Sequence, residues 1–332
     1  MANNRASTFQ PQPPKPKKMT TTSLLLPSVA TSEKALQVGQ LVGKTPLYEI
    51  RNVYRKPGVR IFAKLEWQQL GGSVKSRPAF NIIKNALRNG QLGQGQHLLD
   101  ATSGNTGIAY AAICAALHIP VTLCLPENAS PERKRILKSL GVNIVFTSRF
   151  DGTDGAQLEA KRLYREQPDR YYYADQYAND NNWRAHYETT APEIWQQTCG
   201  KITHFVAGLG TTGTFMGTGR GLKKFNNDIQ LVGLQPDNPM HGLEGWKHLE
   251  TAIVPKIYDE KLADRFLEID TLDAYDMVRS LAQKEGLLVS PSAAANLLGA
   301  IKVAEQIETG IIVTTFADNA EKYSEVMERI FN

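Results

Sequence analysis

The chain has 332 residues, of which 42% are hydrophobic and 21% charged, the balance of an ordinary soluble enzyme large enough for two lobes. Of its formal net charge of +5, +4 lies in residues 1–40, so the basic excess is a tail and nucleic acid is not an expected partner. No apolar run approaches membrane-spanning length, and the three cysteines lack metal-ligand spacing. We therefore expect reduced thiols, no metal site and no membrane partner.

Residues 1–38 are rich in Pro, Ser, Thr and Lys and nearly free of acidic residues. This composition is typical of a disordered segment, which predicts a flexible basic tail. The sparse, reduced thiols favour a cytoplasmic protein. An organelle transit peptide has the same basic, hydroxylated and acid-poor character, so an organelle location is the alternative.

From about Val38 onward, strand-like and helix-like segments alternate. Strands are predicted at 59–65, 97–101, 121–125, 143–146, 171–173, 203–209, 229–234 and 310–315. Helices are predicted at 77–89, 108–117, 131–140, 155–166, 183–198, 215–225, 271–285 and 293–309. This alternation predicts an open α/β fold with parallel sheets, divided into an N-terminal α/β domain over 39–180 and a C-terminal α/β domain over 181–332.

Lys75 follows the small residues Gly71-Gly72-Ser73 and precedes a predicted helix. An amine whose pKa is lowered by burial or by nearby cations can attack a carbonyl and form a Schiff base. Taken alone, Lys75 fits an ordinary solvent-exposed lysine at a helix end better. Its interpretation therefore depends on the segments that share its site.

Three further segments offer groups that suit a ligand. Residues 101–107 (Ala-Thr-Ser-Gly-Asn-Thr-Gly) open a helix with N–H groups, hydroxyls and an amide for a carboxylate, although an N-capped turn is the alternative. Residues 208–214 (Gly-Leu-Gly-Thr-Thr-Gly-Thr) can bind a phosphate at a helix N-terminus. They match neither a Walker loop nor a dinucleotide fingerprint, and an ordinary glycine-rich turn is the alternative. Ser292 offers one hydroxyl, either to a ligand heteroatom or to its own helix as an N-cap.

Together these four segments describe a ligand that has an aldehyde, one phosphate and a ring heteroatom. Those are the features of pyridoxal phosphate, an electron sink held by a lysine Schiff base. The residues therefore predict pyridoxal phosphate as the cofactor.

The same motifs, in the same order, resemble the cysteine synthase and cystathionine β-synthase family of fold-type II pyridoxal-phosphate enzymes. The resemblance extends from about residue 38 to the C-terminus and rests on residues 43–47, 72–79, 102–107, 126–128, 175–177 and 210–214. The Gly-Thr-Thr-Gly-Thr loop is similar to that of the B-type cysteine synthases. The resemblance implies a two-lobed fold like the tryptophan synthase β-subunit and a homodimer.

The resemblance also implies a role for each matching position. Lys75 would form the Schiff base and move protons, Asn105 would bond the 3-oxygen of the ring, and Ser292 would face the ring nitrogen. The phosphate would be held by Gly210, Thr211, Thr212, Gly213 and Thr214. The substrate carboxylate would be bound by Thr102, Ser103, Thr106 and Gln176, with Gly245 beside the substrate.

The implied activity is synthesis of L-cysteine by β-replacement. An O-activated L-serine, either O-acetylserine or O-phosphoserine, would lose its leaving group to give an α-aminoacrylate, which a sulfide-type donor attacks. A serine/threonine dehydratase and a cystathionine β-synthase-like enzyme are alternatives of the same class. An alternative of a different class is a pyridoxal-phosphate-binding regulatory protein without turnover.

The loop at 241–248 (His-Gly-Leu-Glu-Gly-Trp-Lys-His) departs from the paired arginines of some B-type members. Relatives that use O-phosphoserine have an arginine near the place of Lys247. Lys247 or His248 is therefore predicted to pair with a substrate phosphate, and a solvent-exposed loop cation is the alternative. Four further histidines are interpreted as structural or surface residues: His97, His118, His186 and His204.

Overall fold

A computed structural model describes residues 29–102 and 104–332 of the chain. The first helix, α1, spans Val29–Gln40 and begins inside the segment predicted as a tail. Near its C-terminal end, Val38 is buried in an apolar cluster that also contains Ile82 and Ile113. The rest of the predicted tail, and with it the transit-peptide alternative, lies outside the described residues.

The strands are β1 (Leu47–Ile50), β2 (Val59–Leu65), β3 (His97–Ala101), β4 (Val121–Pro126), β5 (Asn143–Thr147), β6 (Tyr171–Tyr173), β7 (His204–Gly208), β8 (Gln230–Pro236), β9 (Arg265–Ile269) and β10 (Gly310–Phe316). The further helices are α2 (Ser76–Arg88), α3 (Asn105–Ala116), α4 (Pro131–Ser139), α5 (Gly152–Glu166), α6 (Asp180–Ala185), α7 (Ala191–Gln197), α8 (Gly213–Phe225), α9 (Thr271–Glu285), α10 (Pro291–Glu305) and α11 (Ser324–Phe331). A π turn, His186–Thr190, joins α6 to α7.

The strands form two sheets. The larger has the order β1-β2-β10-β7-β8-β9, with only β1 antiparallel to its neighbour, and the smaller has the order β5-β4-β3-β6 with all strands parallel. The predicted parallel α/β fold is therefore confirmed. Because β1 and β2 precede the small sheet in the chain yet belong to the large one, the two sheets do not divide the chain at residue 180.

Several predicted elements differ from the observed ones for local reasons. The helix predicted at 183–198 is interrupted by the π turn, where the backbone accommodates one extra residue per turn. Strand β9 is a short edge strand that was not predicted, because Arg265 and Glu268 interrupt its apolar pattern. The short C-terminal helix α11 also escaped prediction.

Both sheets direct the carboxyl ends of β2, β3, β7 and β10 toward one cleft, where ligands bind in open α/β folds. Buried apolar clusters lie on both sides of the large sheet and beneath the small one. These clusters fix the strand ends, so the loops that follow them are held in place around the cleft.

Among the described helices, none is both long and apolar enough to cross a membrane. Within residues 29–102 and 104–332, no group of three His, Cys, Asp or Glu side chains is placed to hold a metal ion. Cys114 and Cys124 are buried and Cys199 is exposed, and all three are free thiols.

Candidate active site

A cavity of about 410 Å³ opens at the shared strand ends and gathers most of the predicted site residues. Those lining it are Lys75, Thr102, Asn105, Thr106, Gln176, Gly210, Thr211, Thr212, Thr214, Gly245, Lys247 and Ser292. Gly213 is the first residue of α8, between two of them. Ser103 lies outside the described residues.

Lys75 immediately precedes α2, and its side chain is directed into the cavity. Burial lowers the pKa of Lys75 to about 8, and the nearby Asp318 carboxylate partly opposes that shift. The amine makes no hydrogen bond to any described residue. A substantial neutral fraction is therefore available near neutral pH, as a nucleophile or a base requires.

A buried cluster of charged groups, which we call the Arg77 cluster, fixes the start of α2. The guanidinium of Arg77 donates to Glu66 at 2.7 and 2.9 Å and to Glu193 at 2.7 and 2.8 Å. Lys64 Nζ donates to Glu193 at 2.8 Å, and the Thr45 hydroxyl donates to Glu66 at 2.7 Å. Arg77 and Glu66 are almost completely buried, so both charges depend on these contacts.

The turn between β3 and α3 presents hydroxyls and free N–H groups to the cavity. The Thr106 hydroxyl donates to Gln176 Oε1 at 2.8 Å, and Gln176 Nε2 donates to the Ala101 carbonyl at 3.1 Å. Behind the turn, burial raises the pKa of Asp100 to about 7, although that carboxylate accepts the N–H groups of Ala101 and Gln176. The turn is therefore held rigidly while Thr102 and the first turn of α3 keep donors for a carboxylate.

Asn105 is held by side chains from the C-terminal part of the chain. Its Nδ2 donates to Asp318 Oδ2 at 2.6 Å and to the Tyr323 hydroxyl oxygen at 3.3 Å. Lys322 Nζ donates to Asn105 Oδ1 at 3.2 Å and to the Gly72 carbonyl at 2.7 Å. The second Asp318 oxygen is buried without a hydrogen-bond partner among the described residues.

The loop before α8 has the features of a phosphate site. Thr212 has a φ of +67°, and its hydroxyl is buried with no partner among the described residues. The N–H groups in the first turn of α8 follow directly, and they have no acceptors within the helix. An orphaned hydroxyl and free N–H groups fit the phosphate of pyridoxal phosphate.

Glycines in this loop allow other parts of the chain to approach closely. A Cβ on Gly210 would lie 1.9 Å from the Gly245 carbonyl oxygen, and one on Gly213 would lie 1.9 Å from Asn182 Oδ1. A Cβ on Gly208 would lie 2.0 Å from the Trp246 indole. The loop thus has this shape only because these positions lack side chains.

Ser292 is buried, in the first turn of α10 rather than at its N-cap. The N-cap is Ser290, whose Oγ accepts the Ala293 N–H at 3.3 Å and lies 3.1 Å from Ser292 Oγ. Since Ser290 already caps the helix, Ser292 is free to bond a ligand. The N-cap alternative for Ser292 is therefore wrong.

Two ion pairs join the 242–248 loop to the helices of the small sheet. Lys247 Nζ lies 4.0 Å from Asp154 and 5.3 Å from the ring centre of Tyr177. Arg133, which lies over the Tyr323 ring, pairs with Glu244 at 2.5 Å. His248 is not among the cavity-lining residues, so the structure brings only Lys247 of the two predicted cations to the cavity.

Several cavity residues were missed from the sequence. They are Arg133, His241, Glu244, Trp246, Asn296, Thr315, Asp318 and Tyr323. Asp318 follows a buried strand at its carboxyl end, which is a usable signal for a site residue. Asn296, a buried amide within the otherwise apolar start of α10, is another: it accepts the Gly208 N–H at 2.7 Å and donates to the Thr315 carbonyl at 2.7 Å.

Comparison with known proteins agrees with this geometry. The family described as "Pyridoxal-phosphate dependent enzyme" matches residues 38–318. A cysteine synthase of Aquifex aeolicus is 48% identical over 291 residues, which cover 86% of this chain and 89% of that protein. Cysteine synthase B of Pseudomonas aeruginosa is 37% identical over 288 residues, covering 86% and 95%. The solved structure of a cysteine synthase from Entamoeba histolytica superposes with a TM-score of 0.83 at 30% identity, covering 97% of this chain and 94% of that one.

Proposed function

The chain belongs to the pyridoxal-phosphate dependent enzymes and is a cysteine synthase, and on that premise we propose how its residues act on an O-activated L-serine. One observation carries the proposal. The buried Lys75 amine, with a pKa lowered to about 8, lines the same cavity as the orphaned Thr212 hydroxyl at the start of α8.

The cofactor would be held at three places. Thr211, Thr212 and the N-terminus of α8 would bind its phosphate, Ser292 would hydrogen-bond its ring nitrogen, and Lys75 would react with its aldehyde. Asn105 would bond the 3-oxygen in place of one of its present contacts with Asp318 or Tyr323. When bound, pyridoxal phosphate supplies an electron sink for negative charge at the substrate α-carbon.

Lys75 would carry the proton in both halves of the reaction. Once the substrate amine has replaced Lys75 at the cofactor aldehyde, the freed neutral amine would remove the α-proton and the β-leaving group would depart. The resulting ammonium would return a proton after sulfur has added. The Asp318 carboxylate favours the ammonium form, while burial favours the amine. The balance leaves the pKa close to physiological pH, where a group can serve as both base and acid.

The substrate carboxylate would lie on the turn between β3 and α3. The Thr102 hydroxyl and the first-turn N–H groups of α3 donate to it, with Ser103 as a further predicted donor. Thr106 and Gln176 bond each other and orient this turn, and Gln176 Nε2 keeps one N–H for the carboxylate. Gly245, with a φ of +90°, leaves room for the substrate on the opposite wall.

Product analysis tests this division of roles. The purified enzyme, given O-acetylserine or O-phosphoserine with sulfide, is expected to release L-cysteine, and Lys75→Ala to release none. Lys84→Ala, an exposed lysine on the same helix, is the matched control and should retain activity. Release of pyruvate without cysteine would favour a dehydratase, while binding of the cofactor without turnover would favour a regulatory protein.

We propose that Lys247 determines how well a phosphorylated substrate is used. Its side chain lines the cavity and is largely buried, and within the described residues its one ion pair is the 4.0 Å contact with Asp154. A substrate phosphate carries more charge than Asp154 and would attract the ammonium away from it. His248, whose ring bonds Thr251 at 3.0 Å, is the weaker candidate.

Lys247→Ala should therefore lower kcat/KM for O-phosphoserine by roughly 10- to 100-fold, as expected for loss of a charge-assisted hydrogen bond. The value for O-acetylserine should change little. Lys256→Ala, an exposed cation in the following loop, controls for net charge. An equal loss for both substrates would show that Lys247 only supports the loop.

We further propose a cytoplasmic homodimer, supported by the family resemblance. Light scattering of the purified chain gives its oligomeric state, and a monomer at micromolar concentration would contradict the proposal. Expression of the full chain with a C-terminal fluorescent tag distinguishes a cytoplasmic location from the organelle alternative.

A further inference from the structure

The π turn His186–Thr190 lies between the two elements that would hold the cofactor. On one side, the Thr189 hydroxyl oxygen accepts Arg77 Nη1 at 2.9 Å, in the helix that follows Lys75. On the other side, His186 Nε2 lies 3.3 Å from Thr214 Oγ1, in the first turn of α8. His186 is 1% exposed, so its ring is buried between them.

Thr190 is what fixes the orientation of the His186 ring. Its hydroxyl is fully buried and lies 2.9 Å from His186 Nδ1, its sole side-chain hydrogen bond within the described part of the chain. If His186 Nδ1 carried the hydrogen, the buried Thr190 hydroxyl hydrogen would have no acceptor there. Since an unsatisfied buried donor is costly, the Thr190 hydroxyl donates to Nδ1, and the ring hydrogen is on Nε2.

This tautomer decides what Thr214 can do. With its hydrogen on Nε2, His186 donates to Thr214 Oγ1, and the Thr214 hydroxyl keeps its own hydrogen for another acceptor. In the opposite tautomer, Nε2 would accept that hydrogen. Burial, together with the charges of Arg77 and Lys75, lowers the pKa of His186 well below its usual value. The ring is therefore neutral and carries its single N–H hydrogen on either Nδ1 or Nε2.

Close packing keeps this arrangement in register. A Cβ on Gly217 of α8 would lie 1.9 Å from the Trp183 carbonyl oxygen and 2.7 Å from His186 Cβ. A Cβ on Gly221, one turn later, would lie 2.4 Å from Ala191 Cβ. Helix α8 therefore packs directly against the π turn and the helices on either side of it, which holds the backbone of His186 close to Thr214.

We propose that Thr190 holds His186 as the Nε2–H tautomer, so that Thr214 presents its hydroxyl hydrogen to the cofactor phosphate. His186 and Thr190 are thus positioning residues, and the chain of donors runs from Thr190 through His186 to Thr214. This inference rests on the proposed phosphate role of the loop before α8.

The first test observes the tautomer directly. In holoenzyme labelled with ¹⁵N-histidine, His186 is assigned by its absence from His186→Gln, and the two ring nitrogens of a neutral histidine differ strongly in chemical shift. A protonated Nε2 and an unprotonated Nδ1 are expected. A protonated Nδ1 would overturn the proposal without any further variant.

The second test measures retention of pyridoxal phosphate by dialysis of the holoenzyme, together with the ³¹P shift of the bound phosphate. Thr190→Val should weaken retention by roughly three- to tenfold, the effect of one hydrogen bond, and move the ³¹P resonance, while Thr190→Ser restores both. Thr218→Val removes another buried hydroxyl of α8 that has no partner among the described residues, and should change neither.

The outcomes separate the two proposals. If Thr214→Val leaves retention unchanged, the phosphate role of the loop is wrong. If Thr214→Val weakens retention but Thr190→Val does not, only the positioning role fails. If Thr190→Val does not fold, Thr190→Ser decides: a serine enzyme with the Nδ1–H tautomer and wild-type retention contradicts the proposal.

Discussion

Replacing Arg77 by methionine tests whether the Arg77 cluster holds Lys75 in place. Methionine keeps much of the side-chain volume but removes the cation between Glu66 and Glu193. Glu66 is fully buried and Glu193 mostly buried, so Lys64 would remain as the one cluster cation facing two carboxylates. Breaking a buried ion pair of this kind costs about 3–5 kcal/mol, so Arg77→Met should lose that much of its free energy of unfolding.

The measurement is urea unfolding of the holoenzyme at a fixed concentration of pyridoxal phosphate, because bound cofactor adds to the apparent stability. The double variant Arg77→Met with Glu66→Gln removes one uncompensated charge and should recover roughly half of the loss. Arg162→Met, an exposed arginine paired with Glu159 and Glu166, should have little effect. A loss for Arg77→Met below about 1 kcal/mol, or no recovery in the double variant, would refute the reasoning.

Three other substitutions have expected outcomes that follow from burial and packing. Burial lowers the pKa of Lys75 to about 8, so the unfolded chain binds more protons than the folded chain between pH 8 and 10.5. Cofactor-free Lys75→Met should therefore be up to about 3 kcal/mol more stable than wild type at pH 7, and this gain should disappear by pH 10.5. Urea titrations at several pH values measure the gain, and a constant gain would contradict the prediction. Burial raises the pKa of Asp100 to about 7, so the folded chain binds more protons than the unfolded chain between pH 4 and pH 7. The free energy of unfolding of the wild type should therefore fall relative to that of Asp100→Asn over this range, by up to about 4 kcal/mol. Parallel pH profiles of the two proteins would contradict the prediction. Gly210→Ala places a Cβ 1.9 Å from the Gly245 carbonyl oxygen and should weaken cofactor retention, measured by dialysis, at least tenfold. Gly93→Ala, where the nearest atom to the new Cβ is 3.4 Å away, is the control and should retain the cofactor as wild type does. Equal retention by both variants would show that the loop can shift.

The parts of the site that sequence could predict are those with a local signature. Lys75 and the loop at 208–214 each lie between a strand and a helix, and glycines with hydroxyl residues mark such turns without knowledge of the fold. The parallel sheets follow from the alternation of strands and helices. These features depend on neighbours in the chain, so a linear pattern contains them.

The remaining features depend on contacts between distant residues. Glu66, Arg77 and Glu193 look like ordinary surface charges in sequence, yet their ion pairs span up to 116 positions and are buried. Asn105 is held by Asp318, 213 positions later. Such contacts require the chain to return to the same cleft, which it does because β10 lies between β2 and β7 in the large sheet.

The segment from α6 to α7 contacts both the helix that follows Lys75 and the loop before α8. Glu193 and Thr189 bond Arg77, two residues after Lys75, whereas Asn182 and His186 contact the loop and first turn of α8. A single helical stretch therefore contacts both the start of the helix that follows Lys75 and the loop before α8. The π turn places two adjacent hydroxyls at this junction: Thr189 bonds the arginine of the helix that follows Lys75, and Thr190 bonds the histidine beside the first turn of α8.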